Sequence, residues 1–213
     1  LNIKSTSKIF IEINKENHFR DLYNLITKEK LPILVIGEGT NIVLPDKFDG
    51  ITVKPMFDEI NIDNTNNTIS VGASVNWHKL VLTMIEKNIY GFENLSLIPG
   101  SVGAAPIQNI GAYGQEISNL IHEVHCFDYI SGNFTKYTNK ECKFSYRDSF
   151  LKNNNTIIYK VIFKSDNPKL LNLEYQSVQN HINDNDVNVS KLDLNEVSNV
   201  ICTIRNKNLP DPT

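Results

Sequence analysis

Two glycine-rich segments hold the residues best suited to chemistry on a phosphorylated ligand. The longer is Ile98-Pro-Gly-Ser-Val-Gly-Ala-Ala-Pro-Ile-Gln-Asn-Ile-Gly-Ala-Tyr-Gly114, with four glycines, two prolines, three alanines and no charged residue. Glycine lets a backbone come close to a flat or phosphorylated group, and proline restricts how far such a loop wanders. The segment reads as a backbone cradle for a large cofactor, or as a buried crossover between layers of a sheet. The shorter is Gly37-Glu-Gly-Thr-Asn41, between the apolar runs Leu31–Ile36 and Ile42–Leu44. It lacks the third glycine and the following helix of a dinucleotide fingerprint, and no Gly-Lys-Ser/Thr marks a P-loop. A strand–turn–strand remains, with Asn41–Pro45 as the second strand. Its amides could form a nest for phosphate oxygens, or it is an ordinary hairpin turn.

Arg147 lies in Tyr146-Arg-Asp-Ser149 between two apolar stretches. It is a candidate anion ligand, or half of a surface pair with Asp148, which would contribute little. His122 and His125 fall three apart on an expected strand, on opposite faces, so no shared metal is expected. Cys126, Cys142 and Cys202 are odd in number and scattered. That pattern fits reduced thiols better than a disulfide framework.

The elements that must position these residues follow from periodicity. Strands are expected at Lys8–Ile13, Ile33–Ile36 (buried), Ile51–Lys54, Glu59–Asp63, Thr68–Gly72, Val124–Tyr129, Phe134–Tyr137 and Ile157–Phe163. Helices are expected at His18–Lys30, Asn76–Lys87 and Leu194–Arg205, with Leu80, Val81, Met84 and Ile85 on one face of the second. Strands and helices mix without strict alternation, which predicts an α+β fold. A shift in composition near Pro55-Met56 predicts the end of a first lobe.

The 213 residues carry a net charge of −3, with 40% hydrophobic and 21% charged residues. These values are those of a soluble globular protein without a basic surface for nucleic acid. No apolar run reaches the roughly 20 residues of a membrane span.

Gly37–Asn41, Asn76-Trp-His78, Gly91-Phe-Glu-Asn-Leu95, Ile98–Gly114, Tyr146–Ser149 and Leu209-Pro-Asp-Pro212 occur in this order. Together they resemble the UDP-N-acetylenolpyruvoylglucosamine reductases, flavoenzymes of peptidoglycan synthesis, over essentially the whole chain. Leu171-Asn-Leu-Glu-Tyr175 resembles the branch with the longer middle region. The resemblance implies the FAD-binding fold of the vanillyl-alcohol-oxidase (PCMH) type. Its lobes would be residues 1–56 and 57–168, with 169–213 leading into a substrate domain. It also implies non-covalent FAD, since neither glycine-rich segment contains His or Cys, and NADPH as co-substrate. The partner would be a nucleotide sugar, the protein a cytoplasmic monomer, and no metal, membrane or nucleic acid would be involved.

By the same resemblance, Arg147 lies at the flavin and the enolpyruvyl group. The expected cofactor contacts are Gly37, Glu38, Gly39, Thr40 and Asn41 in the first segment. In the second they are Gly100, Ser101, Val102, Gly103, Ala104, Pro106, Gln108, Asn109, Gly111, Ala112 and Gly114. Tyr113, Tyr175, Arg205 and Lys207 are expected at the substrate. Many relatives carry lysine just before Leu209, where this chain has Asn208 after Lys207. In the family a segment beyond Leu-Pro-Asp-Pro supplies a proton-donating serine. The sequence stops at Thr213, so it is expected to be an excerpt of a longer protein or a decayed one.

Overall fold

The computed structural model describes residues 4–208. The Leu209–Pro212 motif therefore lies outside the described residues.

The chain opens with strand β1 (Thr6–Ile13), helix α1 (His18–Glu29) and strand β2 (Ile33–Val35). Strand β3 (Lys47–Pro55) then inserts between them, so the order is β1-β3-β2 with both pairings parallel. Parallel neighbours cannot be joined by a tight hairpin; the chain must cross back over the strand ends. Residues 36–46 make that crossing between β2 and β3 and carry the Gly37–Asn41 turn. The expected strand at Asn41–Pro45 is absent. Val43 is 75% exposed, and the chain pairs with its neighbour only from Thr6 N–H to Asp46 O onward. An apolar run with no burial to gain has nothing to hold it extended. β2, expected to be buried, is a half-exposed edge strand.

The second sheet is antiparallel, in the order β4-β5-β10-β8-β9. Its strands are β4 (Ile60–Asp63), β5 (Thr68–Gly72), β8 (Ile121–Asp128), β9 (Asn133–Thr138) and β10 (Thr156–Lys164). The two-residue strands β6 (Gly111–Ala112) and β7 (Gln115–Glu116) pair with each other. Successive side chains on a strand point to opposite faces. In β10, Ile157 and Tyr159 join the core formed by Phe19, Leu22 and Ile26 of α1 with Ile51 and Val53 of β3, while Ile158 joins the opposite core. The larger sheet is thus covered on both faces, and α1 buries its Phe19, Leu22 and Ile26 face in the core that the two sheets share.

Helix α2 (Trp77–Glu86) covers the other face. Asn76 caps it, its Oδ1 accepting from Lys79 N–H at 3.0 Å, and Leu80, Val81, Met84 and Ile85 are buried as their spacing predicts. Trp77 is 1% exposed and donates from Nε1 to Leu95 O at 2.9 Å. Its main-chain N–H donates to Gly100 O at 2.9 Å, which fixes the start of the long glycine-rich segment against the helix.

The chain ends in helices α3 (Gln176–Asp184) and α4 (Leu194–Asn208). They share a small core of Val178, Ile182, Val197, Val200, Ile201 and Ile204. α3 was not expected, because its sequence is polar apart from Val178 and Ile182, an i, i+4 pair too sparse to read as an apolar face.

Candidate functional site

A cleft of about 580 Å³ runs between the crossing after β2 and the long segment after α2. Its walls include Gly37, Glu38, Gly39, Thr40 and Asn41 on one side, and Gly100, Ser101, Gly103, Ala104, Gln108 and Gly111 on the other. Arg147 and Arg205 also line it. So does Lys152, which the sequence did not single out. Lys152 is paired with Asp148, which leaves Arg147 and Arg205 against one carboxylate, Glu38, among the described lining residues. Such an excess favours an anionic ligand.

The two segments touch. A Cβ on Gly37 would sit 2.5 Å from Ser101 Oγ. Gly100 has φ 114°, and a Cβ there would meet Thr40 Oγ1 at 3.1 Å. Glycine at these positions lets the backbone of each wall close on a hydroxyl side chain of the other. Asn41 Nδ2 donates to Gln108 Oε1 at 3.0 Å, and Asn76 Nδ2 donates to Glu38 Oε1 at 3.1 Å. The N–H groups of residues 37–41, Gly100 and Ser101 donate to no acceptor among the described residues. Main-chain donors left free in a cleft suit phosphate oxygens. The dinucleotide phosphates of FAD fit this wall: free amides, little side-chain bulk and surrounding cations.

Arg147 projects from a tight turn. Ser145 N–H donates to Asp148 O and Asp148 N–H donates to Ser145 O. Arg147, at φ 54°, occupies the position that turns of this type usually give to glycine or asparagine. Its Nη2 donates to Gly111 O at 3.2 Å. The pair with Asp148 is not formed; Asp148 pairs with Lys152 at 3.3 Å.

The other expected contacts divide. Val102, Pro106 and Asn109 are buried outside the cleft lining. Asn109 is 2% exposed; its Nδ2 donates to Glu116 Oε2 and Ser145 O, and its Oδ1 accepts from Ser118 N–H. Ala112 and Gly114 lie in and beside the β6–β7 pair, away from the lining. Tyr113 and Tyr175 pack edge to face with centroids 5.5 Å apart. Burial raises the Tyr113 hydroxyl above its ordinary pKa, against the opposing pull of Arg205. Arg205 Nε is buried and has no hydrogen-bond partner among the described residues. Lys207 is exposed and outside the lining. His122 is exposed and His125 pairs with Glu123; among the described residues no group of three or more His, Cys, Asp or Glu is arranged to hold a metal.

Asn94 was missed as a site-building residue. It is buried, and its Nδ2 donates to Tyr113 O at 2.9 Å and Asn172 O at 2.8 Å. It thereby ties the turn bearing Tyr113 to the strap bearing Tyr175. Its place in Gly91-Phe-Glu-Asn-Leu95 marks the motif but gives no sign of which segments of the site its amide joins.

A family model described as FAD binding domain matches residues 7–136. The chain belongs to the FAD binding domain family. As a member of that family it is also similar to UDP-N-acetylenolpyruvoylglucosamine reductases. The one from Bdellovibrio bacteriovorus is 35% identical, with 100% of this chain and 64% of the relative covered. The one from Shewanella sp. strain MR-7 is 36% identical, with 95% and 59% covered. The chain spans about six tenths of the length of these curated relatives. Among solved structures, the UDP-N-acetylenolpyruvylglucosamine reductase of Thermus caldophilus superposes with a TM-score of 0.66 at 21% identity, covering 95% of this chain and 64% of that one. Physcomitrella patens BBE-like 1 gives 0.55 at 13% identity, covering 77% and 38%. The fold is therefore that of the vanillyl-alcohol-oxidase type, as the resemblance implied, and it is α+β, as the mixing of strands and helices predicted.

Proposed function

We propose that this chain carries the FAD cradle and the substrate-orienting arginine of an NADPH-dependent reductase. The enzyme would convert UDP-N-acetylenolpyruvoylglucosamine to UDP-N-acetylmuramate. The observation that supports this best is the convergence of the free amides of residues 37–41, Gly100 and Ser101 with Arg147 and Arg205 in one cleft. The chain's similarity to reductases of that name supports this choice of substrate. FAD, when bound, would take hydride from NADPH and pass it to the enolpyruvyl double bond. Among the described residues the cleft lining has no His or Cys, which favours non-covalent binding.

The chain's own part is binding and electrostatics. The guanidinium of Arg147 would grip the substrate carboxylate as a planar fork. Hydride addition develops enolate charge, and a fixed cation beside it lowers the barrier. Arg205, Tyr113 and Tyr175 would line the nucleotide-sugar site, with Lys207 near the diphosphate. The proton for the neighbouring carbon is assigned to none of these residues. Residues 1–56 and 57–168 would form the two lobes around the cofactor, and 169–213 the approach to the substrate domain. The protein would work as a monomer in the cytoplasm.

The test is product analysis with the whole protein that carries this chain, together with FAD, NADPH and UDP-N-acetylenolpyruvoylglucosamine. The reading predicts a product heavier by two hydrogens, and a loss of roughly a hundredfold or more in kcat for Arg147→Ala. NADPH consumption without that product would overturn it.

A further inference from the structure

The turn that carries Arg147 is bound to the long glycine-rich segment on both flanks. Before it, Asn109 Nδ2 donates to Ser145 O at 3.1 Å; after it, Ser149 Oγ donates to Ile107 O at 3.0 Å. Asn109 and Ser149 are both buried. Arg147 itself sits in the left-handed region, where a side chain is disfavoured. A residue stays there only when its surroundings over-determine it.

Asn109 suits this task. It adopts φ 41°, which asparagine tolerates better than most residues. Its second amide hydrogen goes to Glu116 Oε2 at 2.8 Å, and its Oδ1 accepts from Ser118 N–H at 3.1 Å. Glu116 pairs with Gly111 across β6 and β7, and Gly111 O is the acceptor for Arg147 Nη2. The base of the Arg147 turn and the resting place of its guanidinium are therefore held by one connected unit.

We propose that Asn109 is a positioning residue for Arg147. It acts through the Ser145 carbonyl and touches neither cofactor nor substrate. This rests on the role given to Arg147 above.

Two variants of the full FAD-loaded chain separate positioning from folding. Asn109→Asp keeps the shape and the acceptor for Ser118, but removes both donors and sets a carboxylate against Glu116. Adding Glu116→Gln restores a donor between positions 109 and 116, but Ser145 O keeps only the Asp148 N–H and lacks the side-chain donor from position 109. The double variant should therefore regain thermal stability without regaining function. With flavin reduced by dithionite under anaerobic conditions, its reoxidation by saturating UDP-N-acetylenolpyruvoylglucosamine should be slowed roughly tenfold to a hundredfold. Its reduction by NADPH should fall by much less. In the FAD-free protein, the amides of Ser145 and Asp148 should exchange with solvent faster than in the native chain. Native reoxidation, equal slowing of both half-reactions, or unchanged exchange at those two amides would each overturn the proposal. Arg147→Ala is the control: if it reoxidises normally, the underlying reading fails; if it is slow while the double variant is normal, only the proposal about Asn109 fails.

Discussion

Asn41 and Gln108 are joined across the cleft by a hydrogen bond of 3.0 Å between Asn41 Nδ2 and Gln108 Oε1. It links the crossing after β2 to the segment after α2, two stretches that are remote in sequence. Both partners are accessible from the cleft, so the bond competes with water and contributes on the order of 0.5 kcal/mol to the fold. A phosphate or flavin edge can replace it.

Asn41→Ala and Gln108→Ala should therefore barely move the melting temperature. Each should weaken FAD binding by roughly three- to tenfold, the equivalent of about one hydrogen bond. Titration by quenching of flavin fluorescence measures it. Unchanged affinity in both variants would mean that neither side chain meets the cofactor.

Glycine at positions 37 and 103 answers two different demands. A Cβ on Gly103 would lie 2.6 Å from Ala73 Cβ and 3.1 Å from Ala73 Cα, against a strand end that cannot rotate away. Gly103→Ala should cost about 1–3 kcal/mol in urea denaturation. A Cβ on Gly37 meets chiefly the hydroxyl of Ser101, at 2.5 Å. The defect of Gly37→Ala should be relieved by adding Ser101→Ala. Failure of the double variant to regain stability would show that the strain lies in the backbone.

Glu93 makes stability depend on pH. It is 1% exposed, and burial raises its carboxyl above the usual 4.5, although Gly91 N–H donates to its Oε2 at 2.7 Å. The folded state therefore holds the proton more tightly than the unfolded one. Stability should fall as pH rises from the ordinary value through the raised one, and level off above it. The difference in urea midpoint between the native chain and Glu93→Gln, followed between about pH 4 and pH 7, isolates this effect. A difference that grows in the opposite direction would contradict it.

The thiols should differ sharply in reactivity. Burial pushes Cys126 and Cys142 up to about 12, so neither forms thiolate at neutral pH. Cys202 is only partly buried, with Ser198 and Arg205 opposing its rise. Native labelling with an aromatic disulfide should modify Cys202 first, and the other two only on unfolding. Early modification of Cys126 would argue against the packing of β8 on β10.

Much of this architecture was legible. Asn76 before Leu80, Val81, Met84 and Ile85 is a cap followed by a helical face, and both signals are local. The strands expected at Val124–Tyr129 and Phe134–Tyr137 likewise follow from their apolar runs, and they pair antiparallel. What failed depends on contacts distant in sequence. Asn41–Pro45 has the composition of a strand, but no partner covers Val43. Asn109 lies among residues that line the cleft, yet its amide turns inward to Ser145, 36 residues away. Position in a motif does not say which way a side chain points. The Arg147–Asp148 pair is absent for a local reason: Lys152, four residues on, takes the aspartate.

The most direct measurement is the visible absorption spectrum of the purified full chain with FAD, taken anaerobically before NADPH, after it, and after UDP-N-acetylenolpyruvoylglucosamine. The account predicts a bound flavin band that bleaches with NADPH and returns with the nucleotide sugar. A folded protein that binds no flavin, or a bleached band that the nucleotide sugar does not restore, would contradict it.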